Sequence, residues 1–151
     1  MTERSFEGTL DSLEPIRDYV AEQAAEAGMD RSPIYKLCLA VDEIATNIVI
    51  HGYEEAGLSG DIIVQIIASP DAFEVQLWDH ARPYDPNLHE QQSDTGLDLP
   101  LEDRRIGGLG ILLAKDSVDK LDYVSTPEGN VHSFTMLLKQ AGTASNGSEA
   151  T

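Results

Sequence analysis

The stretch Leu39 to Tyr53, LAVDEIATNIVIHGY, constrains the chain more than any other. Its apolar residues recur at helical steps. Leu37, Val41, Ile44 and Ile48 fall three and four apart and form one stripe, which predicts an amphipathic helix with a buried face. Glu43, Asn47 and His51 are spaced by four, so a regular α-helix stacks them along an adjacent edge. Asn is a mediocre helix former, and packing gives no reason for it between Thr46 and Ile48. Its carbonyl oxygen suits a hard cation such as Mg²⁺. A carboxylate one turn earlier can serve as a general base or orient a water. The plainer reading of the same spacing is a solvated polar edge.

Charge narrows the partners. The 151 residues carry 27 acidic and 10 basic side chains, a formal charge of −17. Nucleic acid needs a basic footprint, and an anionic membrane surface needs one too, so neither is an expected direct partner. A basic protein surface is the complementary choice. A nucleoside triphosphate would be repelled unless a cation and local donors neutralise it. No run approaches the roughly 18 apolar residues of a membrane-spanning helix. The start, MTERSFEG, lacks the basic and apolar regions of a signal peptide, and a cytoplasmic location is the expectation. The single cysteine, Cys38, sits on the apolar side of the helix and reads as an inert core residue.

In chain order, Ser5–Leu10 reads as a short strand. A helix capped by Asp11 or Ser12, with Pro15 in its first turn, runs to about Ala27 and stops at Gly28. Arg17 on this helix pairs most simply with an acid three or four residues away. The central helix starts near Asp30 or Ser32 and ends between Tyr53 and Gly57. Asp61–Ala68 and Ala72–Trp78 form a hairpin. From Asp79 to Arg105 the pattern stops, with prolines at 83, 86 and 100; a loop that long suits a lid. A third helix begins among Gly107, Gly108 and Gly110. Strands Lys120–Ser125 and Val131–Lys139 follow, and 140–151 reads as a disordered tail behind a single domain, 1–139. The fold class is α+β: a two-layer sandwich, three main helices on one face of a mixed, mostly antiparallel sheet.

Two further motifs carry possible chemistry. Gly107-Gly108-Leu109-Gly110 opens a helix, where free amides and the helix dipole favour an anion; a flexible hinge is the alternative. Arg104 and Arg105 precede it, and either suit phosphate oxygens or offset Glu102 and Asp103. Asp79 ends a strand; its carboxylate can accept from an amino group on a base edge, with Ala81 leaving room for a flat ring.

The order of these pieces resembles the GHKL ATPases, of Bergerat fold, over residues 5–139. Within them the chain is most similar to the anti-sigma factor serine/threonine kinases. EIATNIVIHGY resembles their N box, Asp79–Ala81 their D-x-G motif, RPYDP from Arg82 their P-[FY]-D-P run, and RIGGLGILL from Arg105 their second glycine box. The resemblance implies ATP and Mg²⁺ as ligands. It makes Asn47 the metal ligand, Glu43 the general base for an acceptor hydroxyl, and Asp79, beside Ala81, the adenine contact. Gly108 and Gly110, with Arg105, Gly107 and Leu109 around them, would hold phosphate. It further implies an anti-anti-sigma (STAS-type) protein as phosphate acceptor, a sigma factor as the alternative partner, a homodimer, and Arg17 as a partner contact. Ala81 stands where the family often has glycine, and 129–135, GNVHSFT, matches the last motif only loosely, so no threonine contact to the nucleotide is placed. The rivals are an ATP-binding interaction module without phosphate transfer, a histidine-kinase catalytic domain, ranked lower because no helix with an acceptor histidine precedes the domain, and an α+β domain with no nucleotide.

Overall fold

A computed structural model describes residues 1–83 and 110–138. Five strands form one sheet in the order β1-β2-β3-β5-β4, and every neighbouring pair among them is antiparallel. The strands are β1 (Thr2–Glu7), β2 (Asp61–Ala68), β3 (Ala72–Asp79), β4 (Lys120–Thr126) and β5 (Gly129–Leu137). The helices are α1 (Leu13–Glu26), α2 (Arg31–Asn47) and α3 (Gly110–Ser117). This is the expected α+β arrangement of three helices and a sheet, except that the sheet is antiparallel throughout its five described strands rather than mixed.

The alternation of β2, β3 and β5 sends every second side chain to the helical side, as a pleated strand must. Ile62, Val64 and Ile66, then Phe73, Val75 and Leu77, then Phe134 and Met136 are buried there. Each large one contributes roughly 1.5–3 kcal/mol by leaving water. Helix α2 is the keystone of the other layer, touching α1, α3 and β5. Its Leu37, Val41, Ile44 and Ile48 stripe is buried as the spacing predicts.

Boundaries moved where close packing overrode local pattern. β1 covers Thr2–Glu7, not Ser5–Leu10, because the chain turns at Gly8. The Gly8 N–H donates to the Gly60 carbonyl at 2.8 Å, and a Cβ on Gly8 would lie 2.6 Å from the Tyr53 ring. A short 3₁₀ turn, Leu10–Ser12, then leads into α1. Gly28 sits at φ +90°, in the left-handed region that glycine enters freely and that ends a helix. The α2 helix gives way after Asn47 to a π-helical segment, Ile48–Glu54. Residues 84–109 and 139–151 lie outside the described residues. So do the expected lid beyond Pro83, the sites Arg105, Gly107, Gly108 and Leu109, and the expected tail.

Candidate functional site

Glu43 and Asn47 keep their helical spacing on α2, one turn apart. Asn47 is 5% exposed. Glu43 is half-buried. Burial, and next the Asp42 carboxylate beside it, raise its carboxyl above the usual range, which moves it toward the affinity a proton acceptor needs. His51 lies past the change to π geometry, so the simple four-residue stack does not extend to it. Its Nδ1 lies 2.8 Å from Glu55 Oε1.

The end of this helix is stitched to the end of β3. Gly52 carbonyl accepts from the Arg82 N–H at 3.0 Å, and His51 carbonyl accepts from Arg82 Nη2 at 2.9 Å. The Tyr53 hydroxyl accepts from the His80 N–H at 3.1 Å and donates to the Asp61 carbonyl at 2.8 Å. A Cβ on Gly52 would lie 2.7 Å from the Ala81 methyl, so the approach needs glycine there. The His-Gly-Tyr end of the stretch thus fixes where Asp79 sits relative to Asn47. Ala81 is buried with its methyl toward Gly52.

Asp79 is 2% exposed at the end of β3. Its Oδ1 accepts from the Ala81 N–H at 2.9 Å and from Asn130 Nδ2 at 2.8 Å. Its Oδ2 is buried with no partner. Burial raises the carboxyl, while the bonds from Asn130 and Ala81 work against that rise. Asn130 falls in the loosely matching stretch 129–135, where the resemblance gives its amide no role. Its one sequence signal is an amide in a strand, where asparagine is depleted. Tyr53, Arg82 and Ser125 were likewise unassigned.

Gly110 opens α3, in keeping with a helix that starts among the glycines. Arg17 does not pair within its own helix. Its Nη1 lies 2.9 Å from Asp42 Oδ1 on α2, because α1 packs along α2 and brings that acid closer than any neighbour in sequence; Arg17 remains 41% exposed. Cys38 is buried, donates to the Arg17 carbonyl at 3.7 Å, and burial pushes its thiol up to about 11, as an inert core residue requires. Among the described residues, no group of three or more His, Cys, Asp or Glu could hold a metal, and no helix is long and apolar enough to cross a membrane.

A family profile described as "Histidine kinase-like ATPase domain" matches residues 6–136. The chain belongs to that family. The chain is 27% identical over 126 residues to "Serine-protein kinase RsbW" of Halalkalibacterium halodurans, covering 83% of this chain and 75% of that protein. Among solved structures, the RsbU and RsbW domains of a Mycobacterium tuberculosis protein superpose with a TM-score of 0.60 at 19% identity. That match covers 91% of this chain and 33% of the larger protein, so the chain spans about a third of its length. The SiaB-SiaC complex from Pseudomonas aeruginosa gives a TM-score of 0.54 at 14% identity, covering 89% of each chain. At these identities the structural likenesses speak for the fold.

Proposed function

We propose that this chain is an ATP-binding anti-sigma regulatory factor with serine/threonine protein kinase activity. It would phosphorylate an anti-anti-sigma protein and sequester a sigma factor when that protein is phosphorylated. The observation that carries the reading is Asp79 Oδ2, a buried acceptor without a partner, held at the strand end to which the Asn47-bearing helix is stitched. A purine amino group is the donor such an oxygen lacks. The similarity to a serine-protein kinase over most of the chain points the same way.

The residues present fit a magnesium nucleotide. Asn47, one turn beyond Glu43 on α2, brings a carboxamide oxygen, and Mg²⁺ characteristically takes few protein ligands, completing its shell with phosphate and water. A bound magnesium triphosphate supplies the transferable phosphoryl group and the charge neutralisation that a −17 chain cannot. Asp79 anchors the base edge. Asn47 holds the cation end through its carboxamide oxygen. Glu43, one turn earlier, accepts the proton of an incoming serine or threonine hydroxyl, and burial tunes it for that task. Arg17, part-exposed beside Asp42 on the α1–α2 surface, would contact a protein partner.

The test is transfer of labelled phosphate from ATP to a candidate anti-anti-sigma (STAS-type) protein from the same cell. Wild type transfers. Glu43→Ala keeps ATP affinity within a few-fold and loses roughly 10²- to 10⁴-fold in transfer rate. Normal transfer by Glu43→Ala would remove the base role from Glu43. Binding of ATP with no transfer by wild type would leave an ATP-binding interaction module instead.

A further inference from the structure

Asp79, Asn130 and Ser125 lie in one cross-strand row. The register pairs Asp79 with Asn130 and Asn130 with Ser125, so the three side chains share a face of the sheet. Asn130 is 3% exposed and its amide is fully committed. Nδ2 donates to Asp79 Oδ1 at 2.8 Å and to the Ala81 carbonyl at 2.9 Å, while Oδ1 accepts from Ser125 Oγ at 2.7 Å. The amide orientation is fixed by this set. Flipping it would put the carbonyl oxygen against two acceptors and the amino group against a hydroxyl. Asp79 Oδ1 therefore receives two donors, from Asn130 and from Ala81, and Oδ2 receives none.

We propose that Asn130 is the positioning residue that makes the site selective for 6-aminopurine nucleotides. It does so through Asp79, and the proposal rests on the nucleotide reading above. With Oδ1 occupied, the carboxylate offers one acceptor in one direction. A 6-amino group donates to it. A 6-oxo group presents a lone pair to a lone pair and is rejected, and a buried polar site left unpaired discriminates strongly. Asn130 also ties up the Ala81 carbonyl, so that this second acceptor does not compete for the base edge. The β4–β5 hairpin, through Ser125, braces the amide. Close approach is built in here too: Gly129 has φ +143°, and a Cβ on it would lie 2.8 Å from the Asp79 carbonyl.

The experiment is calorimetric titration of the full chain with ATP and with inosine triphosphate, each with Mg²⁺. Wild type is expected to prefer ATP by tenfold or more. Asn130→Ala should lower ATP affinity and shrink the ATP-to-inosine-triphosphate ratio at least fivefold, since the carboxylate is then free to turn. Asn130→Val, a better strand former, should do the same. A merely structural role would weaken both nucleotides in parallel, and an unchanged ratio in a folded variant overturns the proposal. Should neither variant fold, Ser125→Ala decides: it removes an exposed hydroxyl, should lower the ratio about twofold or more, and contradicts the proposal if the ratio stays as in wild type. Failure of wild type to bind ATP is read from wild type alone and removes the nucleotide reading itself, with this proposal.

Discussion

Gly52 and Ala81 are packed so closely that a Cβ on the first would sit 2.7 Å from the Cβ of the second. One residue lies in the π-helical end of the central helical stretch, and the other stands two residues past the buried aspartate. Their contact sets the distance between the two halves of the candidate site.

Gly52→Ala should therefore cost about 1–3 kcal/mol of stability by overpacking. Ala81→Gly removes the opposing methyl, so the double variant should recover much of that loss. Urea denaturation of the four forms measures the coupling. Additive losses would show that the two positions relax independently.

Arg17 separates stability from binding. Its ion pair with Asp42 is well exposed, and such pairs contribute about 0–1 kcal/mol. Arg17→Ala is expected to unfold at nearly the wild-type urea concentration, yet to weaken capture of the anti-anti-sigma or sigma partner about tenfold or more. Undiminished partner binding in a titration would take Arg17 out of the interface.

His132 should make the fold acid-sensitive. It is 2% exposed on β5, stacks on Tyr123 with centroids 4.7 Å apart, and its Nδ1 finds no hydrogen-bond partner. Burial lowers its pKa from 6.5 to about 3. The folded state thus keeps it neutral while the unfolded state takes a proton below about 6.5, so stability falls with falling pH across that window. The slope is about 1.4 kcal/mol per pH unit where the two states differ by one proton. Asp79 has the opposite sign, because its raised carboxyl binds a proton more readily when folded. The difference between wild type and His132→Phe isolates the histidine. Urea midpoints should converge or favour the variant at pH 7, and favour it increasingly toward pH 4. Parallel pH curves would show that His132 is not the sensor.

Much of the architecture was legible from period and punctuation. The α2 stripe buried as spaced, and Asp61–Ala68 is a strand to the residue, because its β-branched run, flanked by turn residues, leaves little choice. Three features were not legible, for distinct reasons. The π segment after Asn47 follows from how the helix end meets Arg82 and Ala81, which no local spacing encodes. β1 ends early because Gly8 meets Tyr53 far along the chain. Asn130 gains its role only from the β3–β5 register, which brings it against a residue 51 positions away. Glu43, Asn47 and Asp79 stand out in the sequence by chemical type and by their order along the chain. The structure adds the burial of Asn47 and the orphan oxygen of Asp79.

The central claim is that Asn47 and Asp79 belong to one magnesium-nucleotide site, and calorimetric titration with ATP, with and without Mg²⁺, tests it most directly. Wild type should bind ATP tightly only with Mg²⁺. Asn47→Ala should lose tenfold or more, about 1.4 kcal/mol, and only in the presence of Mg²⁺. Asp79→Asn replaces an oxygen of the carboxylate with an amino group, and should lose roughly 10- to 100-fold whether or not Mg²⁺ is present, the cost of about 1–3 kcal/mol for an unmatched buried pair. Equal affinities for wild type and both variants would contradict the account.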